Sequence, residues 1–175
     1  MHRLLLNREI YEELIQQQIP LAKHYLWIVT ADIKDMHVQH YGSYAPFLAL
    51  LAELVSSGVA IRLVHAKEPG PRFREDFDHY HELVDNDLFE RILCPRVHTK
   101  AVIIDNRIAF VGSPNLTGAG MGAKSARRRN FEAGFLTADP GLVGALMDQF
   151  DRVWMGAECD ACGRKAFCSD GPGVE

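Results

Sequence analysis

The chain has 175 residues, a net charge of −4, 47% apolar residues and 24% charged ones. That length fits one domain whose core needs no disulfides, and the composition excludes a disordered or fibrous chain. The negative balance excludes a protein that coats nucleic acid by bulk attraction, so any hold on phosphates must come from a local basic patch.

Met1 to Glu9 holds too short an apolar run for a signal peptide, and no later stretch approaches a membrane span. A cytoplasmic location without integral membrane association is therefore expected. From Arg8 to Ala22, the spacing of Ile10, Leu14, Ile15, Ile19 and Leu21 predicts an amphipathic helix ended near Pro20. Leu26 to Thr30 reads as a buried strand. After a polar loop, Tyr44 to Ser57 reads as a helix stopped at Gly58, followed by a strand from Val59 to His65. Gly70 and Pro71 then break the chain before an acidic surface helix from Phe73 to Val84.

Strands are predicted over Leu88 to Leu93 and over Val97 to Ile104, the second apolar on both faces as a sheet covered on both sides requires. Asp105-Asn106-Arg107 is a tight connection to a returning strand, Ile108 to Val111. A glycine-rich and then basic stretch follows Asn115 and leads to a strand from Phe131 to Leu136. Asp139 caps a closing helix with Pro140 at its first position, running to Trp154. Strands alternating with helices imply a layered α/β fold. Residues 1–157 form its single domain, and 158–175 a cysteine-containing tail.

His98 and Lys100 stand two apart in a predicted strand and so project from one face. Beyond Asp105 the chain reaches Gly112-Ser113-Pro114-Asn115, where glycine permits close backbone approach and Ser113 and Asn115 add short polar groups. An ammonium, a hydroxyl and an amide near one imidazole describe an anion pocket. Taken singly, each residue has a plainer explanation: a satisfied core histidine, a snorkelling lysine, an ordinary turn. Their joint spacing is the argument, because the run resembles the phospholipase D superfamily signature HxK(x)4D(x)6GSxN at every fixed position, the resemblance extending from Val97 to about Leu136.

The resemblance implies a phospholipase D-like layered fold, with a mixed, mostly parallel β-sheet flanked by helices. It implies a hydrolase in which His98 attacks phosphorus to give a phosphohistidine, while Lys100 and Asn115 hold the nonbridging oxygens and Ser113 supports them. No catalytic metal is required in that scheme. Glu132, in Asn130-Phe131-Glu132, is similar to the family's downstream Asn-x-Glu segment. It is expected beside His98, holding the ring nitrogen that does not attack. Asp105 belongs to the signature and is read as mainly structural. Only one His-x-Lys occurs, so a second His98 from a homodimer is expected to supply the acid.

Lys124, Arg127, Arg128 and Arg129, in a loop without an acid, are expected to track a nucleic-acid backbone as a mobile basic element. A nuclease is thus expected, with DNA or RNA as substrate. The alternatives are a phospholipid hydrolase or phosphatidyltransferase, and a silent nucleic-acid-binding module. Cys159 and Cys162 form a Cys-x2-Cys-Gly knuckle resembling half of a zinc site, and Cys168 and Cys94 would complete four thiolate ligands. On an extended strand that metal would lie roughly 13 Å from His98 and have no catalytic part. Free thiols or a redox pair are the other readings of the cluster.

Overall fold

The computed structural model describes residues 2–34, 36–40 and 42–169. Strand β1 (His2–Leu6) leads into α1 (Arg8–Ile10), which runs on through a π-helical stretch, Tyr11–Gln18, and a 3-10 turn, Ile19–Leu21. Strand β2 (Tyr25–Thr30) follows, then a hairpin of β3 (His37–His40) and β4 (Ser43–Pro46), where only a polar loop was expected. Helix α2 is Phe47–Ser56. It starts three residues later than expected, because Pro46 disfavours helical backbone at Ala45.

Strand β5 (Ala60–His65) is followed by α3 (Pro71–Asp78) and α4 (His81–Val84), two short helices in place of the one expected. The break falls at Tyr80, whose ψ of 87° is not helical. Then come β6 (Phe89–Leu93), β7 (Ala101–Ile104), β8 (Ile108–Gly112), β9 (Ala133–Thr137) and α5 (Pro140–Trp154). Asp139 caps α5 as expected, its carboxylate accepting the Leu142 N–H at 3.0 Å.

Seven strands form one mixed sheet in the order β1-β9-β8-β7-β2-β5-β6. Five run in one direction and β7 and β9 run against them, so the sheet is mostly parallel in direction. Both faces are covered. Leu26, Ile28, Val102, Ile104 and Phe110 meet α1 and α2 on one side, while Trp27, Val29, Ala101 and Ile103 meet α5 through Val143 and Phe150 on the other. That two-sided burial is why β7 is apolar at every position. Among the described residues no helix is long and apolar enough to cross a membrane.

The β7–β8 turn places Asp105 and Asn106 at positive φ, 51° and 54°, and closes with the Arg107 N–H on the Ile104 carbonyl at 3.0 Å. Asp105 does more than turn the chain. Its carboxylate accepts the backbone N–H groups of Lys23, His24 and Tyr25 at 2.9, 2.7 and 2.9 Å, pinning the entrance to β2. Burial alone would raise this carboxyl's pKa, but the N–H groups of Tyr25, His24 and Lys23 outweigh it and hold the group below its ordinary value. Its stabilisation is therefore present above the unfolded-state pKa of about 3.9 and fades as pH falls through the lower folded value. Asp105→Ala should lose about 2–4 kcal/mol in urea denaturation at neutral pH. A loss below about 0.5 kcal/mol would contradict this anchoring role.

Candidate active site

The strand register gathers the chemistry at one end of the sheet. Val29 pairs with Ala101, Ala101 with Val111, Gly112 with Gly134, and Leu6 with Ala133. The carboxyl ends of β1, β2 and β8 therefore meet the amino ends of β7 and β9, and His98, Lys100, Ser113, Asn115 and Glu132 arrive on the same edge. Crevices at the carboxyl ends of strands are where ligands bind in open α/β sheets. The crowding there fixes Gly112, since a Cβ would lie 2.6 Å from the Ala133 carbonyl oxygen and from the Gly134 Cα.

The residues before β7 differ from expectation. The ladder begins at Ala101, and Lys100 is tied to the sheet by the Gly112 N–H on its carbonyl at 3.0 Å. His98 thus stands just beyond the sheet and is exposed, while Lys100 is buried. The Lys100 ammonium donates to the His98 carbonyl at 2.5 Å and lies 3.2 and 3.3 Å from the ring nitrogens Nδ1 and Nε2. Being almost equally far from both nitrogens, the ammonium stands over the face of the ring and not on either in-plane lone pair, a cation over a π face.

Glu132 does not reach the His98 ring as expected. Its carboxylate takes the Ser113 hydroxyl and the Asn130 amide, the latter at 3.0 Å, and its charge acts on Lys100. Asn7, which sequence reasoning missed, holds Glu132 by two bonds, one through its side chain and one through its backbone: the Glu132 N–H to Asn7 Oδ1 and the Asn7 N–H to the Glu132 carbonyl, each 2.9 Å. The missed signal was β1 itself, after which the chain turns at Asn7 with a φ of 51°. Asn115 is oriented by the Asp32 N–H on its Oδ1 at 3.2 Å, which leaves Nδ2 without a partner among the described residues. Thr30 fixes the same corner, donating to the Asp32 carbonyl at 2.8 Å and accepting the Leu116 N–H at 3.0 Å.

Asp105 is not part of this gathering. It sits at the opposite end of β7, beside Tyr25 at the start of β2. Its place in the signature is that of a fold anchor.

Burial pushes the Lys100 ammonium below its ordinary pKa, and the Glu132 charge partly restores it. Any step needing that ammonium should fade as pH rises through the lowered value. Glu132→Gln removes the restoring charge, so the alkaline fall of kcat/KM should move to lower pH. A limb that stays in place or moves upward would contradict this coupling.

Two clefts adjoin the site. One, of about 700 Å³, is lined by the acids Asp32 and Glu68 together with Lys34, Lys67, Arg72 and Lys124. Asp32 takes Lys34 and Lys67 as ion pairs at 3.5 and 3.3 Å, while Lys124 has no carboxylate partner among the described residues. Arg127 and Arg128 are exposed, and Arg129 partly so. Their loop folds on itself: Met121 N–H bonds the Thr117 carbonyl, Asn130 N–H bonds that of Ala119, and Arg8 donates to the Gly122 carbonyl at 3.1 Å.

The second cleft, about 360 Å³, is lined by His98 and Thr99 with Arg96, Arg152, Cys94 and Cys159 among others. The extended separation expected between Cys94 and His98 is not found. The chain turns at Pro95 and Arg96, with the Val97 N–H on the Cys94 carbonyl at 2.9 Å. Arg96 and Arg152 were also missed. Arg96 had a signal, standing two residues before His98. Arg152 had none, because its place depends on where α5 docks.

The family match to residues 15–154 puts the molecule in the class of phosphodiesterase-type enzymes. A family model described as cardiolipin synthase, PLD-like domain, matches residues 15–154, and the chain belongs to the phospholipase D superfamily.

Among solved structures it is similar to Nuc, a phospholipase D family member from Salmonella typhimurium. The identity is 17% and the TM-score 0.64, over 88% of this chain and 93% of that one. It is similar also to NucT from Helicobacter pylori, with 15% identity and a TM-score of 0.63 over 87% and 94%. Phosphatidylserine synthase from Haemophilus influenzae Rd KW20 gives 15% identity and a TM-score of 0.60, over 86% of this chain and 38% of that one. At such identities the likeness speaks for the fold alone. No curated protein sequence matches the chain.

Proposed function

We propose that the protein is a nuclease that cleaves DNA or RNA through a phosphohistidine on His98, without a catalytic metal, at a site shared by two copies of the chain. The observation that carries this reading is the exposed His98 ring held by the buried Lys100 ammonium. Phosphate oxygens compete for that ammonium. A bound phosphodiester draws Lys100 from the ring face to its nonbridging oxygens, next to the imidazole that attacks. The Asn115 Nδ2 donates to the same oxygens. As the N–P bond forms the ester P–O bond breaks, and the leaving oxygen takes a proton from the partner copy's imidazole. That imidazole then removes a proton from water, whose oxygen displaces His98 from phosphorus.

A second copy has a surface to meet. Leu4, Leu6, Phe131 and Phe135 are 58%, 45%, 97% and 38% exposed, and Leu4 pairs with Phe135 in the β1–β9 ladder. The patch continues from Phe131 into Glu132, so a copy seated there approaches the site. Exposed apolar side chains on this edge support a second copy docking there.

Nucleic acid is favoured over lipid by the cationic lining of the larger cleft and by the run Arg127-Arg128-Arg129. One structural neighbour, the archaeal chromatin protein TrmBL2, is described as binding DNA by a novel mode. The test is a substrate panel in excess chelator: single- and double-stranded DNA, RNA, a chromogenic phosphodiester, and anionic phospholipid vesicles. Cleavage of nucleic acid that weakens steeply with salt is expected. Headgroup release from vesicles without nucleic-acid cleavage would overturn the reading.

A further inference from the structure

We propose that Cys94, Cys159, Cys162 and Cys168 bind one structural zinc ion, which fastens the tail after α5 to the wall of the cleft that holds His98. The tail lies beyond the residues 15–154 that match the family model. It offers little of its own to pack. Over residues 157–169 every residue is exposed except the three cysteines, and Phe167, its one large apolar side chain, is 76% exposed. A tail held by hydrophobic burial would turn Phe167 inward and leave its polar thiols outside. This one does the reverse.

The four thiols come from two directions onto one place. Cys94 follows β6 and is fixed by its own N–H on the His65 carbonyl at 2.8 Å. Cys159 and Cys162 line the same cleft as Cys94. Cys168 Sγ donates to the carbonyl of Leu93, the residue beside Cys94, at 3.5 Å, and Arg164 reaches the Pro95 carbonyl at 3.3 Å.

The turn between the knuckle cysteines is already formed, with the Cys162 N–H on the Cys159 carbonyl at 3.1 Å. The Arg164 N–H donates to Cys162 Sγ at 3.5 Å, the kind of outer bond that orients a thiolate ligand. Among the described residues no three His, Cys, Asp or Glu side chains are arranged to hold a metal ion, so the thiols must turn toward one another to bind it. A cysteine side chain swings about one bond, and the exposed turns of the tail leave room for that adjustment. Four thiolates suit zinc, which takes them tetrahedrally at about 2.3 Å. Each Zn–S bond replaces an S–H bond and releases a proton, so four protons leave as one ion binds.

The test is metal analysis of the full chain, grown with zinc, purified without affinity metals and desalted. About one zinc per chain is expected, with all four thiols unreactive until a chelator is added. Cys159→Ser and Cys162→Ser should lose the metal, while Phe167→Ser, an exposed neighbour, should keep it. If the cysteine variants fail to fold, the parent chain still decides: its melting temperature should fall in chelator and recover when zinc is restored. Less than about 0.1 zinc per chain, or thiols found paired as disulfides, would overturn the proposal.

Discussion

His98→Ala is expected to lower phosphodiester cleavage by about 10⁴-fold while leaving the fold intact. The loss should be this large because, in the proposed reaction, the ring both attacks phosphorus and leaves it again. It should leave stability nearly unchanged because His98 is exposed and lies outside the β-ladder. Thermal melting of the variant separates the two effects. Lys100→Ala is expected to look different: a buried amine that bonds the His98 carbonyl is removed, so stability as well as rate should fall. An His98→Ala protein that keeps more than about one-tenth of the parent rate would remove the imidazole from the chemistry.

Mixing parent and His98→Ala chains should give a quadratic loss of activity. One chain holds one His-x-Lys, while the proposed reaction needs a nucleophile and an acid together. If each copy supplies one of them, only dimers of two parent chains turn over. After subunit exchange at equal amounts, activity should be about one quarter of that of the same total of parent chain, against about one half for independent sites. Phe131→Asp gives a complementary readout. It puts a charge at a residue 97% exposed and distant from the core, so it should leave the fold unchanged and shift the protein to monomers that are inactive. A monomer of full activity would mean that the acid comes from within the chain.

Much of the site could be read in the sequence because it rests on short-range spacing. His98 and Lys100 lie two apart, and Gly112 to Asn115 follow a hairpin whose Asp-Asn turn announces itself. The helices were legible where their faces repeat, as in α5 with its Asp139 cap. What could not be read depends on partners far away in the chain. β1 exists because β9, near the other end of the chain, lies beside it, and with only Leu5 of its five residues buried it carries no strand pattern of its own. The same distance hid Asn7, which matters through Glu132.

The orientation of Asn115 likewise depends on Asp32, across the sheet. Glu132 was expected on the His98 ring because a nucleophilic imidazole wants an acceptor behind it. In the folded chain Ser113 and Asn130 claim that carboxylate first. Asp105 shows the opposite case, a signature residue whose chemistry is structural because β7 carries it to the far end of the sheet.

The proposed reaction turns on a covalent bond between His98 and phosphorus. Rapid acid-free quenching of the enzyme with a phosphorus-labelled substrate, followed by digestion and peptide mapping, tests it most directly. The expected result is label on the peptide containing His98, stable to alkali, lost in acid, and absent from His98→Ala. Turnover that proceeds at full rate with no label on that peptide at any quench time would contradict the account.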